Sequence, residues 1–105
     1  MYIVKIVNEF LHGAIWVYED GIASSWDKID DDEILKELNK QAMELYGSYY
    51  EFDSHNQSCW FNEQLEKETK GKMLDLINKI KERLNQINNG DFVVEDLETE
   101  RLENL

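Results

Sequence analysis

The residues best equipped for chemistry fall in one stretch, SYYEFDSHNQSCWFN, residues 48–62. It contains Asp53, His55 and Cys59, the only cysteine of the chain. A thiol close to an imidazole and a carboxylate raises two options, a metal centre and a nucleophile with its base. A structural zinc site needs four ligands, usually as paired cysteines or histidines at tight spacing. No such pair repeats here, and His12 would have to fold back beside His55 to help. A cysteine nucleophile needs a base, an orienting group and oxyanion donors in one pocket. No glycine-rich turn adjoins Cys59. A reactive thiolate also wants positive surroundings, whereas this chain carries a formal net charge of −12. The alternative for Cys59 is a small hydrophobe in or near the core. We therefore expect no metal, no cofactor and no catalytic residue.

Other chemistries leave less trace. With 23 acids, some carboxylate pairs fall within acid–base reach by chance, so pairing carries no information. Phosphate-binding glycine motifs of the GxxxxGK[ST] and GxGxxG types are absent. The run Asp30-Asp31-Asp32 continues into Glu33 and Ile34 without the glycine that a calcium loop requires at its sixth position.

The elements that must position these residues follow from periodicity. YIVKIV (2–7) and AIWVYE (14–19) read as strands joined by a His12-Gly13 turn. Asp20-Gly21 is a strong hairpin signal, and IASSW (22–26) is a candidate third strand. Ile34, Leu35, Leu38, Ala42, Leu45 and Tyr49 recur at helical spacing, which predicts a helix over 31–47 with Asp30 or Asp31 as its cap. Met73, Ile77, Ile80, Leu84 and Ile87 form a second stripe, placing a helix over 62–87 with Asn62 as cap and Gly71 as a point of kinking. At ~1.5 Å per residue that helix reaches about 39 Å. DFVVEDL (91–97) reads as a strand with Phe92 and Val94 on one face, and ETERLENL as a last half-turn of helix or a frayed tail. The expected fold is one α+β domain over 1–105, an antiparallel sheet of about four strands with two helices on one face.

Length and composition allow a single core without disulfides. The N-terminal residues lack a basic region and a cleavage signal, and no run approaches a membrane span. The lone cysteine excludes an intramolecular disulfide, so a reducing cytoplasm is the expected compartment.

The charge is unevenly distributed. Residues 27–57 hold nine acids against three lysines, and residues 91–105 hold six acids against Arg101. The long segment between them, residues 58–90, is nearly neutral, with five acids and six bases. Such a surface repels nucleic acid and anionic membranes and attracts basic proteins. Two acidic patches are expected: Asp30, Asp31, Asp32, Glu33, Glu51 and Asp53 in one, and Glu95, Asp96, Glu98 and Glu100 in the other. Tyr50 and Trp60 are the candidate anchors, since tyrosine and tryptophan dominate protein interfaces.

LHGAIWVYEDG (11–21), YYEFDSHNQSCWFN (49–62) and DFVVEDLETERL (91–102), in a small acidic chain without a catalytic motif, resemble bacterial immunity proteins of polymorphic-toxin and contact-dependent growth-inhibition systems. The resemblance implies a protein without activity of its own that covers the active or substrate-binding face of a cognate toxin. That partner is expected to be basic and a nuclease, because nucleases present cationic surfaces to phosphates. Three other classes stay open: a phage-type acidic nucleic-acid mimic (an anti-restriction or anti-CRISPR inhibitor), a small enzyme using His55 and Cys59, and an oligomerising domain using the 73–87 stripe.

Overall fold

The β-branched N-terminal run forms β1 (Tyr2–Glu9), with Val4, Ile6 and Asn8 turned inward on every second residue. A computed structural model describes residues 1–54 and 57–105 of the chain. β2 (Gly13–Glu19) lies antiparallel to β1. Asp20 and Gly21 both take positive φ, +50° and +81°, the two-residue turn that matches strand twist. The third strand stops early, as β3 (Ile22–Ala23), because residues 27–30 coil into a single helical turn, α1 (Asp27–Asp30).

The first long helix is α2 (Glu33–Gly47). Its cap is Asp32, not Asp30 or Asp31: the Asp32 carboxylate accepts from the Leu35 amide at 2.9 Å. α3 (Glu63–Ile87) starts at its expected cap, with Asn62 Oδ1 accepting from the Leu65 amide at 2.9 Å. Gly71 sits exposed within α3, which runs unbroken past it. Between the helices lies an element that the sequence periodicity did not predict. It is a β-hairpin, β4 (Tyr50–Ser54) and β5 (Gln57–Phe61), which forms its own two-stranded sheet. The chain ends with β6 (Phe92–Asp96) and the short helix α4 (Thr99–Glu103).

The main sheet has the order β3-β2-β1-β6. It is mixed rather than antiparallel, because β6 runs parallel to β1. The reason is the length of α3. Twenty-five helical residues span about 37 Å and return the chain to the end where β1 begins, so β6 sets off in the same direction as β1. Tyr2, Trp26 and Phe92 meet at that end: the Tyr2 and Trp26 rings stack at 3.9 Å, and Phe92 meets Trp26 edge-on. Val4, Ile6, Val17 and Phe92 on the inner face of the sheet join Leu35, Ala42, Met73, Ile77, Ile80 and Leu84 in one core. Both long helices therefore cover the same face. The molecule measures 48 × 24 × 23 Å. No described helix is long and apolar enough to cross a membrane.

One side chain ties α2 to the sheet. Asn39 Oδ1 accepts from the Ala14 and Ile15 amides at 2.8 and 3.1 Å. Gly13, at φ +96°, gives this amide its space: a Cβ there would lie 2.5 Å from Asn39.

Candidate partner-binding site

The first expected patch divides. Asp30 to Glu33 sit at the start of α2, whereas Glu51 and Asp53 lie on β4 beyond its far end. Fifteen helical residues, about 22 Å, separate them. Within the first group the acids differ in use. Asp30 is exposed and accepts from the Trp26 amide at 2.8 Å and the Ser25 hydroxyl at 3.0 Å, bracing α1. Asp31 is exposed. Glu33 is exposed and pairs loosely with Lys36 at 3.4 Å. Asp32 is committed to the fold, with its side chain 8% exposed and held by Arg83 at 2.7 Å. The Arg83 hydrogen bonds lower its carboxyl below the usual range, against the opposing effect of burial.

The second expected patch divides as well: Asp96 and Glu98 are drawn into the fold, whereas Glu100 is exposed. Glu95 lies half-buried on the sheet face opposite the helices, 3.9 Å from Lys5. Asp96 ends β6 and braces the turn into α4: its Oδ1 accepts from the Glu98 and Thr99 amides at 3.0 Å each, and Lys81 pairs with Oδ2 at 2.9 Å. Burial alone would raise this carboxyl, but the hydrogen bonds from Thr99, Lys81 and Glu98 outweigh it and bring it down to about 2. Glu98 is 2% exposed and cannot reach a partner surface. It shares the Arg101 guanidinium with Glu66, also 2% exposed, and accepts from Asn8 Nδ2 at 3.0 Å. Glu66 lies in a helix that reads as nearly neutral, and only its stripe position, two turns before the apolar residue Met73, hinted at burial.

The hairpin end gathers aromatic rings. Tyr50 is half-buried, 4.4 Å from Phe10, 5.0 Å from Phe61 and 5.8 Å from Tyr46. It supports a satellite cluster more than it offers a contact. Tyr49, fully buried, shares a 2.8 Å hydrogen bond with Thr69. Burial, and next the adjoining Tyr50 hydroxyl, raise Tyr46 above the ordinary tyrosine range. Phe52 opposes Cys59 and shares the face of Tyr50 and Phe61, yet it stays 57% exposed. Leu11, in the turn before β2, is 75% exposed. Glu51 and Trp60 oppose each other on the other face of the hairpin. Glu51 accepts from Asn62 Nδ2 at 2.8 Å, and Trp60 is half-buried.

Phe52 and Leu11 were missed from the sequence. The alternation of Tyr50 and Phe52 with Glu51 and Asp53 was the available signal for a strand with one ring-bearing face. The side chain of Asp53 and all of His55 lie outside the described residues, so the pairing of His55 with Cys59 does too. Cys59 is an exposed free thiol. His12 stacks on Trp16 at 3.6 Å. Among the described residues no three of His, Cys, Asp and Glu come together as a metal site. Comparison of the chain with protein-family models, with curated proteins and with solved structures found no match.

Proposed function

We propose that this chain is an inhibitor of a basic protein: an immunity protein that covers the active or substrate-binding surface of a cognate toxin, a nuclease on the charge argument, within the cytoplasm and without a reaction of its own. The observation that carries the reading is where the charge remains. Arg83 and Arg101 are consumed by Asp32, Glu66 and Glu98, and Lys28 and Lys81 by Asp91 and Asp96. Each such pair removes one charge of each sign, or a base and two acids at Arg101, so most of the net −12 rests on exposed carboxylates. Opposed fields of this size speed association, and a few desolvated rings slow release. Phe52 and Leu11 at the hairpin end, with Glu51 close by, are the anchors that this reading favours over Tyr50.

The test is affinity purification on the immobilised chain, identification of the retained basic protein, and titration of its activity. Near-stoichiometric inhibition is expected, with an affinity that falls about tenfold or more between low and moderately high salt. Retention of no basic protein, or binding indifferent to salt, would refute the reading.

A further inference from the structure

β6 is the last strand of the main sheet, and among the described residues no strand covers its outer edge. The Leu97 amide donates to the Ile6 carbonyl. In a parallel ladder this fixes the alternation: Val93, Glu95 and Leu97 turn their backbone groups toward β1, while Phe92, Val94 and Asp96 turn theirs outward. The Phe92 carbonyl is taken by Asn88 Nδ2 at 3.1 Å. The amide and carbonyl of Val94 and the amide of Asp96 meet no partner among the described residues. This edge borders a groove of ≈ 660 Å³, whose other wall is α3 through Lys81, Glu82, Asn85 and Asn88. An edge strand facing a helix across an open groove is the setting in which an extended segment adds as a further strand.

We infer that the groove takes an extended basic segment of the partner protein, paired to Val94 and Asp96 as a fifth strand of the sheet. Charge selects the occupant. Lys81 is neutralised by Asp96 at 2.9 Å, and Glu82, exposed on the α3 wall, is the charge left over. A second copy of this chain would bring another −12 and crowd two sets of Glu95 and Asp96 along one short ladder. Exposed apolar Val93, 48% exposed on the adjoining face, gives a neighbouring strand side-chain contact as well. The inference rests on the proposed basic partner but is tested apart from it.

The probe is a short blocked peptide of alternating lysine and valine, with a glutamate–valine peptide as control. Hydrogen exchange is followed amide by amide, and affinity by fluorescence anisotropy. The lysine peptide is expected to slow exchange at Val94 and Asp96 about tenfold or more, with the control inert. Val94→Pro removes an outward N–H and leaves the bonds to β1 in place. Asn85→Trp fills the groove from the helix wall and leaves β6 untouched. Each should weaken the peptide about tenfold or more with the unfolding temperature of the second unchanged. The inference is overturned if the peptide does not bind, if it binds without protecting Val94 and Asp96, or if Asn85→Trp binds it as well as the parent. Protection that rises with protein concentration alone, with a doubled mass by light scattering, assigns the edge to a second copy and also overturns it. A groove that fails while a basic protein still binds leaves the proposed function standing; a groove that holds while no basic protein is retained removes that function alone.

Discussion

Replacing Arg101 by methionine should cost about 3 kcal/mol of folding stability. Arg101 reaches both buried carboxylates with separate edges of its guanidinium: Nη2 and Nη1 lie 2.7 and 3.3 Å from Glu66, and Nη2 and Nε lie 3.0 and 3.1 Å from Glu98. Glu66 holds its charge most strongly, with burial opposing and Glu98 adding, so the guanidinium stays protonated more firmly than usual. Methionine keeps much of the apolar stem and removes the cation. Two carboxylates, each 2% exposed, then face one another with Asn8 as the remaining donor to Glu98. Removing one member of a buried pair costs about 3–5 kcal/mol. The Arg101 side chain is 40% exposed, so water moderates the loss and the lower value applies.

Measured against a total stability of about 5–15 kcal/mol, that loss is large. It should lower the unfolding temperature by roughly 10–20 °C for a chain of this size. Urea unfolding followed by tryptophan fluorescence reads it as a lower midpoint at constant slope. Arg101→Lys, a point charge without the fork, should retain about half of the stabilisation. Coupling decides whether the carboxylates are the cause: Glu66→Gln combined with Arg101→Met should cost about 1–3 kcal/mol less than the sum of the two alone. An Arg101→Met variant within about 1 kcal/mol of the parent, or strictly additive changes, would refute the reasoning.

Asp96 gives a pH-dependent counterpart. Its folded pKa of about 2 lies below the ordinary aspartate value of 3.8, so its stabilisation is complete above about pH 5 and is lost as pH falls through 2. Asp96→Asn should lower stability by about 2 kcal/mol at neutral pH, and the gap from the parent should close by about pH 2 in acid titrations. Gly13→Ala should destabilise by more than about 2 kcal/mol in thermal unfolding, since it combines a positive φ with a Cβ placed 2.5 Å from Asn39; a cost under about 0.5 kcal/mol would contradict this. Phe52→Ser should change stability by less than about 0.5 kcal/mol yet weaken partner binding about tenfold in a direct titration; unchanged binding would remove Phe52 as an anchor.

The parts of the fold that were legible in the sequence are those governed by neighbours along the chain. Met73, Ile77, Ile80 and Leu84 lie on one helical face whatever else the chain does, and all are buried. Asn62 and Asp20-Gly21 act within three residues of themselves and behave as read. The direction of β6 is not of this kind. It depends on how far α3 carries the chain before it turns, which is a sum over the whole helix. The hairpin was obscured because the polar run DSHNQS interrupts the alternation that Tyr50 and Phe52 begin.

The same distinction explains the acids. Asp31 and Asp32 are adjacent and chemically identical, but one is exposed and the other is bound to an arginine 51 positions away. Glu98 and Glu100 differ in the same way, through Arg101. No local pattern separates a carboxylate spent inside from one facing solvent, so contact residues inferred from acid clusters alone were bound to mix the two. The field is affected far less. An internal ion pair withdraws both signs together, and at Arg101 the extra buried carboxylate removes one negative charge from the surface at most. Steering toward a basic partner can therefore be argued from composition, whereas the proposed points of contact rest on exposure: Phe52 and Leu11 at one end, and the outer edge of β6 along the side.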